Sequence, residues 1–198
     1  MAKNQTELFD YFDMKKVRRR YGRTQHGGCG TKGHRKEARP LSTGKWIHLV
    51  LKSEKAKGKL SFLTAGNQLV VKSILDEKSK KFGVRIADYA NVGNHLHLKI
   101  KISSRSQFAR FLKAVTTLIA RRVTGARRGK PFGRFWQGLA FTRVLKSRLE
   151  ELNLKGYIEA NRRQAHGSQP AREAYLKAFN EWVYRERRKS LGLINSSA

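Results

Sequence analysis

The residues NHLHLKIKI at positions 94–102 decide how the chain is expected to fold. After the asparagine, apolar residues alternate with histidines and lysines, which is the period of a β-strand whose two faces differ. The polar face carries His95, His97, Lys99 and Lys101. The apolar face carries Leu96, Leu98, Ile100 and Ile102. We therefore predict a strand with one face in a core and the other at a site.

The segments around this strand predict a β-α-β-β-α-β order. Alternation also favours strands over residues 45–52, 84–90 and 138–146, and apolar residues at helical spacing predict helices over about 70–82 and 106–123. This order is typical of the ferredoxin-like split βαβ unit, an α+β fold. We expect an antiparallel sheet with two helices on one face and the other face free for a ligand.

The C-terminal third of the chain is predicted to be helical. Ser147 and Glu150 form a capping box that opens a third helix, which runs to about Ala165. A last amphipathic helix has one apolar stripe, formed by Tyr175, Ala178, Phe179 and Trp182. We divide the chain into a basic flexible N-terminal arm (1–43), a folded domain (44–165) and a C-terminal helical extension (166–198).

The composition requires a polyanionic partner. The chain has 198 residues with 44 Lys or Arg against 14 Asp or Glu, a formal charge of +30. Such a surplus attracts phosphates over long range. No apolar run exceeds three residues, far short of the roughly 20 of a membrane-spanning helix, and the single cysteine excludes an internal disulfide framework. We expect a cytoplasmic, nucleoid-associated protein with no membrane partner.

The basic residues are concentrated around the central strand. The 61 residues between Asp88 and Glu150 contain no carboxylate but 14 Lys or Arg, and residues 130–136 mix cations with aromatic rings in a way that suits unstacked bases. Ordinary core aromatics are the alternative. The candidate nucleic-acid contacts are Lys99, Lys101, Arg121, Arg122, Arg127, Arg128, Lys130, Arg134 and Trp136.

The two histidines of the central strand are candidate metal ligands. At positions i and i+2 their Cα atoms lie about 6.6–7 Å apart, so both rings can converge on one cation. Two polar histidines on a solvated face are the alternative. In the third helix, Tyr157 and Asn161 stand one turn apart on one face. The amide would complete a set for Mg²⁺ or Mn²⁺, and the phenol could act as a nucleophile beside that cation.

These residues resemble a known family. Asn94-His95-Leu96-His97-Leu98 resembles the HUH motif of the single-tyrosine transposases, and Tyr157-Ile158-Glu159-Ala160-Asn161 is similar to their nucleophile helix. The resemblance covers about Lys45 to Gln164 and looks most like the REP-associated tyrosine transposases, whose tyrosine helix often carries Asn. Asn91-Val92-Gly93 departs from it, because Met-Pro is more usual before Asn-His.

The resemblance implies a role for each matching residue. His95 and His97 would hold a divalent metal with Asn161 as third ligand, and Tyr157 would attack a phosphate of single-stranded DNA. A 5′-phosphotyrosine link would result, which a second 3′-OH could reverse to join strands. Hairpin DNA is the implied substrate. Gln164 and Glu150 are substitute ligands, and the resemblance leaves open whether the protein is a monomer or a homodimer.

Other classes of protein remain as alternatives. The first is a non-catalytic or domesticated nucleic-acid-binding protein of the same fold, in which the histidines are surface polar groups. A replication initiator or relaxase shares HUH chemistry, but the chain is short and has no helicase segment. A carboxylate-triad transposase needs several acids, and none occurs in the 61 residues around the histidine pair.

Overall fold

The computed structural model describes residues 26–27, 39–167, 177–179, 181–182 and 184. The strands are β1 (His26–Gly27), β2 (Ile47–Lys52), β3 (Val84–Asn91), β4 (His95–Ile102) and β5 (Phe141–Val144). The helices are α1 (Ala65–Lys81), α2 (Arg105–Thr124) and α3 (Arg148–His166), and a 3-10 turn covers Gly58–Leu60. The strands lie in the order β1-β5-β2-β4-β3, and neighbours are antiparallel. The predicted α+β class and the β-α-β-β-α-β order are confirmed.

A tight hairpin joins β3 to the central strand β4. Gly93 has a φ of 92°, a left-handed conformation that a residue with a Cβ rarely adopts. Its N–H donates to Asn91 Oδ1 at 3.1 Å, and Val92 N–H donates to His95 O at 3.0 Å. The turn therefore fixes where β4 begins and which way His95 points.

The first face of the sheet holds the main hydrophobic core. Helices α1 and α2 cover this face, and α2 begins at Ser104, whose side chain accepts a hydrogen bond from Gln107 N–H. The apolar side chains that alternate along β2 and β4 are fully or nearly fully buried beneath these helices. They include Ile47, Leu49, Leu51, Leu96, Leu98, Ile100 and Ile102.

The second face of the sheet is not left open, so that part of our prediction is wrong. Helix α3 packs on it, mainly against β3. The physical reason is a second apolar cluster, which would be exposed without the helix. This cluster contains Ala90, Leu145, Leu154, Tyr157 and Ile158, with Trp46 and Val92 at its margin. Helix α3 thereby brings Tyr157 onto the face that carries the histidines.

The ends of the chain add contacts to this domain. β1 lies inside the segment predicted to be an arm, yet it pairs with β5, with His26 opposite Arg143. Arg39 Nη1 donates to Ala140 O at 2.5 Å. Towards the other terminus, Phe179 and Trp182 are helical with ring centroids 5.8 Å apart. Most of the predicted arm, and Tyr175 of the predicted stripe, lie outside the described residues, so the domain boundaries stay predictions.

Candidate active site

Strand β4 presents its two histidines side by side on the second face of the sheet. The ring centroids of His95 and His97 are 4.7 Å apart, with the ring planes 86° to one another. His97 is 3% exposed. The predicted convergence of both rings on one side of the strand is therefore present in the structure.

A third histidine belongs to this cluster, and sequence analysis did not single it out. His48 lies on the neighbouring strand β2, is 2% exposed and places its Nε2 3.1 Å from His97 Nδ1. Alternation along β2 places His48 on the face opposite Ile47, Leu49 and Leu51. Which residues meet across two strands depends on their register, however, and here Val50 lies opposite His97 and Lys52 opposite His95.

The hydrogen bond of His95 determines its tautomer. Its Nδ1 lies 2.6 Å from Asn94 Oδ1. Because an amide oxygen only accepts, Nδ1 carries the proton and Nε2 keeps its lone pair. The asparagine before the pair thus orients the first histidine with Nε2 as its donor atom for a cation.

All three histidines are neutral at neutral pH. Burial lowers the pKa of His48 to about 3 and that of His95 to about 4, with the charges of Arg143 and Lys52 acting in the same direction on His48 and His95 respectively. Burial, followed by the neighbouring histidines, also lowers the pKa of His97 well below its usual value. Neutral imidazole is the form that binds metal ions.

Tyr157 meets this cluster from α3. Its ring centroid lies 5.1 Å from that of His97 at 86° and 6.2 Å from that of His48 at 71°. The residue is 8% exposed and packs with Leu154 and Ile158. The structure therefore brings together the phenol and the imidazole that sequence analysis assigned to one site.

Ion pairs to three different strands hold α3 in place. Lys99 on β4 pairs with Glu151 at 3.0 Å, Arg143 on β5 with Glu150 at 3.2 Å, and Asp88 on β3 with Arg162 at 2.5 Å. Half of the predicted capping box forms, since Ser147 Oγ accepts from Glu150 N–H. Glu150 accepts in turn from Lys146 N–H rather than from Ser147. These bonds fix the register of Tyr157 against the sheet.

A glycine beside the tyrosine admits a side chain from the C-terminal extension. A Cβ at Gly156 would lie only 2.3 Å from the ring of Phe179. Glycine at this position therefore allows the ring to pack directly on α3. The residue next to Tyr157 thus connects α3 to the apolar stripe predicted at the C-terminus.

Asn161 has the properties of a ligand with an unused oxygen. It is fully buried, and its Nδ2 donates to Tyr157 O at 2.7 Å. Its Oδ1, like His97 Nε2, has no hydrogen-bond partner within the described part of the chain. Such buried polar atoms are costly unless a ligand satisfies them. Of the substitute ligands, Glu150 is occupied by Arg143, whereas Gln164 Oε1 is also buried without a partner among the described residues.

The side chains at this site fit a hard divalent cation only if the Asn161 amide is one of the ligands. Within the described ranges, no group of three or more His, Cys, Asp or Glu side chains is placed to hold a metal ion. Two neutral imidazoles and an amide oxygen are a sufficient start for Mg²⁺ or Mn²⁺, which keep several water ligands. Asn161 Oδ1 and His97 Nε2 are the two orphaned buried atoms that such a cation would satisfy.

The candidate nucleic-acid contacts divide into exposed and engaged residues. The exposed ones run from the end of α2 into the loop before β5, and they are Arg121, Arg122, Arg127, Arg128, Lys130 and Arg134. Lys101 is half-buried on β4. Lys99 pairs with Glu151 and lies over the Trp46 ring. Trp136 packs against the core and donates Nε1–H to Thr116 O at 2.8 Å.

Among the aromatic rings of residues 130–136, the exposed one is Phe132 rather than the candidate contact Trp136. Phe132 is 37% exposed, and Lys55 Nζ lies 5.3 Å from its ring centroid. The loop is tied to the end of β2 beside the histidines, because Gln137 N–H donates to Lys52 O at 2.8 Å and Ser53 Oγ donates to Phe135 O at 2.6 Å. The loop that exposes Phe132 is therefore attached to the end of β2 that lies opposite His95.

Two solved structures are similar to this chain. One is a REP-associated tyrosine transposase bound to a REP hairpin, with a TM-score of 0.53 and 12% identity over 81% of this chain and 88% of that one. Another is a candidate transposase from Deinococcus radiodurans R1, with a TM-score of 0.41 and 20% identity over 64% of this chain and 98% of that one. No curated protein matches the sequence. Among the described residues, no helix is long and apolar enough to cross a membrane.

The sequence itself decides the family. The model of the family described as "Transposase IS200 like" matches residues 43–161, more than half of the chain. This range begins just before β2 and ends at Asn161, so it includes the histidine cluster and Tyr157. The chain therefore belongs to the IS200-like transposases, DNA-processing enzymes of the single-tyrosine HUH type.

Proposed function

We propose that the protein is a metal-dependent single-stranded DNA endonuclease and strand transferase that acts through a 5′-phosphotyrosine intermediate. Tyr157 is the nucleophile, and His95, His97 and Asn161 hold Mg²⁺ or Mn²⁺. One observation carries the proposal. The Tyr157 ring lies 5.1 Å from His97, on a sheet face where histidines and an amide are buried together.

The first step is attack of the phenol on a phosphodiester. The bond from Tyr157 Oη to phosphorus forms, the bond to the 3′ oxygen breaks, the phenolic proton passes to solvent and the leaving 3′ oxygen takes up a proton. Because the usual phenol pKa is about 10, the phenolate needs stabilisation at neutral pH. A bound divalent cation would supply it, and would polarise the phosphate as a Lewis acid.

The residues around the nucleophile hold it ready for this attack. The packing of Tyr157 against Leu154 and Ile158 restricts its ring, and the ion pairs of α3 restrict its helix. Preorganisation of this kind lowers the entropic cost of reaching the reactive geometry. Since the ring meets the histidines of its own chain, we propose that the site is assembled in cis.

The second step is the reverse reaction with another DNA end. A 3′-OH attacks the phosphotyrosine, the phosphorus–oxygen bond to Tyr157 breaks, and the phenolate recovers a proton. The energy of the phosphodiester is kept in the covalent link, so strand joining needs no nucleotide cofactor. Nicking and joining are thus one reversible reaction at one residue.

We propose hairpin DNA with a single-stranded flank as the substrate. The fold neighbour bound to a REP hairpin supports this choice, although its 12% identity extends only to the fold. Further support comes from the exposed cations of residues 121–134 and from Phe132, a ring available for base stacking next to a loop that reaches Lys52.

A covalent adduct is the test. The full-length protein is incubated with a single-stranded hairpin oligonucleotide and Mn²⁺, and the products are separated under denaturing conditions and identified by mass spectrometry. We expect an adduct on Tyr157 that Tyr157→Phe and a chelator abolish, while DNA affinity is unchanged in Tyr157→Phe. Tyr89→Phe, a half-buried tyrosine on β3, is the matched control and should keep the adduct. A Tyr157→Phe variant that still forms the adduct would contradict the role of Tyr157. A wild-type protein that binds DNA without forming an adduct would favour the non-catalytic alternative.

A further inference from the structure

The two histidines of β4 are oriented by different neighbours. His95 uses its Nδ1 to donate to Asn94 Oδ1, which comes from the turn directly before β4. His97 uses its Nδ1 for a contact of 3.1 Å with His48 Nε2, which comes from the next strand. In both rings Nδ1 is engaged within the protein, and Nε2 is the atom left for the site.

The contact between His48 and His97 requires one ring to donate and the other to accept. A neutral imidazole carries one proton, on one of its two nitrogens, so a contact between two such rings has two possible arrangements. If His97 Nδ1–H donates, His97 Nε2 keeps a lone pair for a cation. If His48 Nε2–H donates instead, His97 Nε2 carries a hydrogen that blocks a cation.

Burial makes this choice consequential. His48 and His97 are 2% and 3% exposed, and His97 Nε2 has no partner in the described part of the protein. A hydrogen on that atom would exclude a cation, whereas in the other arrangement the second hydrogen of the pair lies on His48 Nδ1. A lone pair on that atom can be satisfied by a cation. Outer partners that fix ligand tautomers are a general feature of metal sites.

We propose that His48 is a positioning residue, the acceptor that holds His97 in the tautomer whose Nε2 faces the cation. It does for the second histidine what Asn94 does for the first. The inference rests on the proposed function, because it assigns His48 to the same metal site. It lies outside the His-Leu-His motif of β4, because it is 49 residues away on β2 and reaches His97 only through the strand register.

Metal binding without DNA is the first test. Manganese affinity of the full-length, metal-free protein is measured from the electron paramagnetic resonance signal of free Mn²⁺. We expect His48→Leu to weaken affinity about 10- to 100-fold, the range for outer-shell ligands of metal sites. His48→Gln, whose Oε1 can replace the acceptor, should restore affinity to within about threefold of wild type. Equal affinity in wild type and His48→Leu, or equal loss in both variants, would overturn the proposal.

A neighbouring variant controls for packing. Phe141 on β5 contacts the His48 ring edge-on, with centroids 6.0 Å apart, and makes no ring contact with His97 among the described pairs. Phe141→Leu should therefore leave manganese affinity unchanged. A loss as large as that of His48→Leu would show that packing around the ring, rather than its acceptor nitrogen, is responsible.

Direct observation of the tautomer covers the case in which His48→Leu fails to fold. Imidazole ¹⁵N shifts of the metal-free wild type, assigned with His48→Gln and His97→Gln, should give His97 as the Nδ1–H tautomer. The Nε2–H tautomer would refute the inference. Neither readout involves DNA or Tyr157, so the absence of a covalent adduct would count against the proposed function and leave this inference to its own results.

Discussion

The same strands form both faces of the sheet, but one face is apolar and the other carries polar side chains. On β4, Leu96, Leu98 and Ile100 are fully buried beneath α1 and α2, whereas His95 and His97 turn to the side that α3 covers. Both faces are covered by helices, and the second gathers at one place two buried polar atoms that lack hydrogen-bond partners among the described residues, His97 Nε2 and Asn161 Oδ1. The two faces therefore differ in how the burial of their side chains changes the free energy of folding.

This difference identifies the functional face. Burying a leucine side chain stabilises a fold by about 1.5–3 kcal/mol, whereas leaving a buried polar atom unsatisfied costs about 1–3 kcal/mol. A sheet that served only stability would carry apolar residues on both covered faces. Polar groups gathered at one place under α3 indicate a binding requirement that the first face does not share.

The largest expected effect is on DNA cleavage, which should depend on the second face of the sheet and not on the first. Replacing both His95 and His97 with Ala should lower DNA cleavage more than about a hundredfold, because both imidazole ligands of the proposed cation are lost. Single-turnover cleavage of a hairpin oligonucleotide measures the effect. Circular dichroism should show a folded protein, and DNA affinity should keep its steep salt dependence, since the exposed cations are untouched.

The matched control for this variant lies on the same strand. Lys101→Ala changes a half-buried residue of the same face, two positions beyond Lys99. It should leave cleavage at saturating DNA within a few-fold of wild type. If the double histidine variant unfolded, or cleaved as fast as wild type, the second face would be structural like the first.

The next effect is expected on stability and belongs to the first face. Leu98→Ala should lower the free energy of unfolding by about 2–5 kcal/mol, the usual cost of a cavity in a packed core. Chemical denaturation measures this loss. The cleavage rate per folded molecule should stay near that of wild type at low temperature, because the leucine points away from the histidines. A variant of normal stability but no activity would mean that the two faces are not independent.

Sequence pattern was sufficient for the elements that alternation and capping define locally. β4 has the predicted bounds, α3 starts at the predicted Ser147 cap, and the apolar stripe of α2 is buried. These features depend on residues within a few positions of one another, so their period is visible in the sequence. β1, with only two residues, has no period to detect.

The contacts that complete the site were not visible because they join distant segments. His48 reaches His97 through the register of β2 against β4, and a shift of one residue would send it to the other face. Trp136 was predicted to contact nucleic acid, but its indole N–H is bound to Thr116 O. The covering of the second face by α3 follows from an apolar cluster shared between β3, β5 and the helix, which no single segment displays.

The smallest expected effect concerns the third metal ligand and compares two buried amides on the second face, Asn161 and Gln164. Asn161→Ala should weaken manganese binding about tenfold and lower the free energy of unfolding by only about 1 kcal/mol, since the side chain makes one hydrogen bond, to Tyr157 O. Gln164→Ala removes another buried amide oxygen, one turn further along, that has no partner among the described residues, and it should leave manganese affinity within about twofold. Manganese titrations of both variants without DNA decide between them. If only the glutamine variant loses affinity, the ligand is Gln164, and the burial of Asn161 then serves the packing of α3 against the sheet rather than the cation.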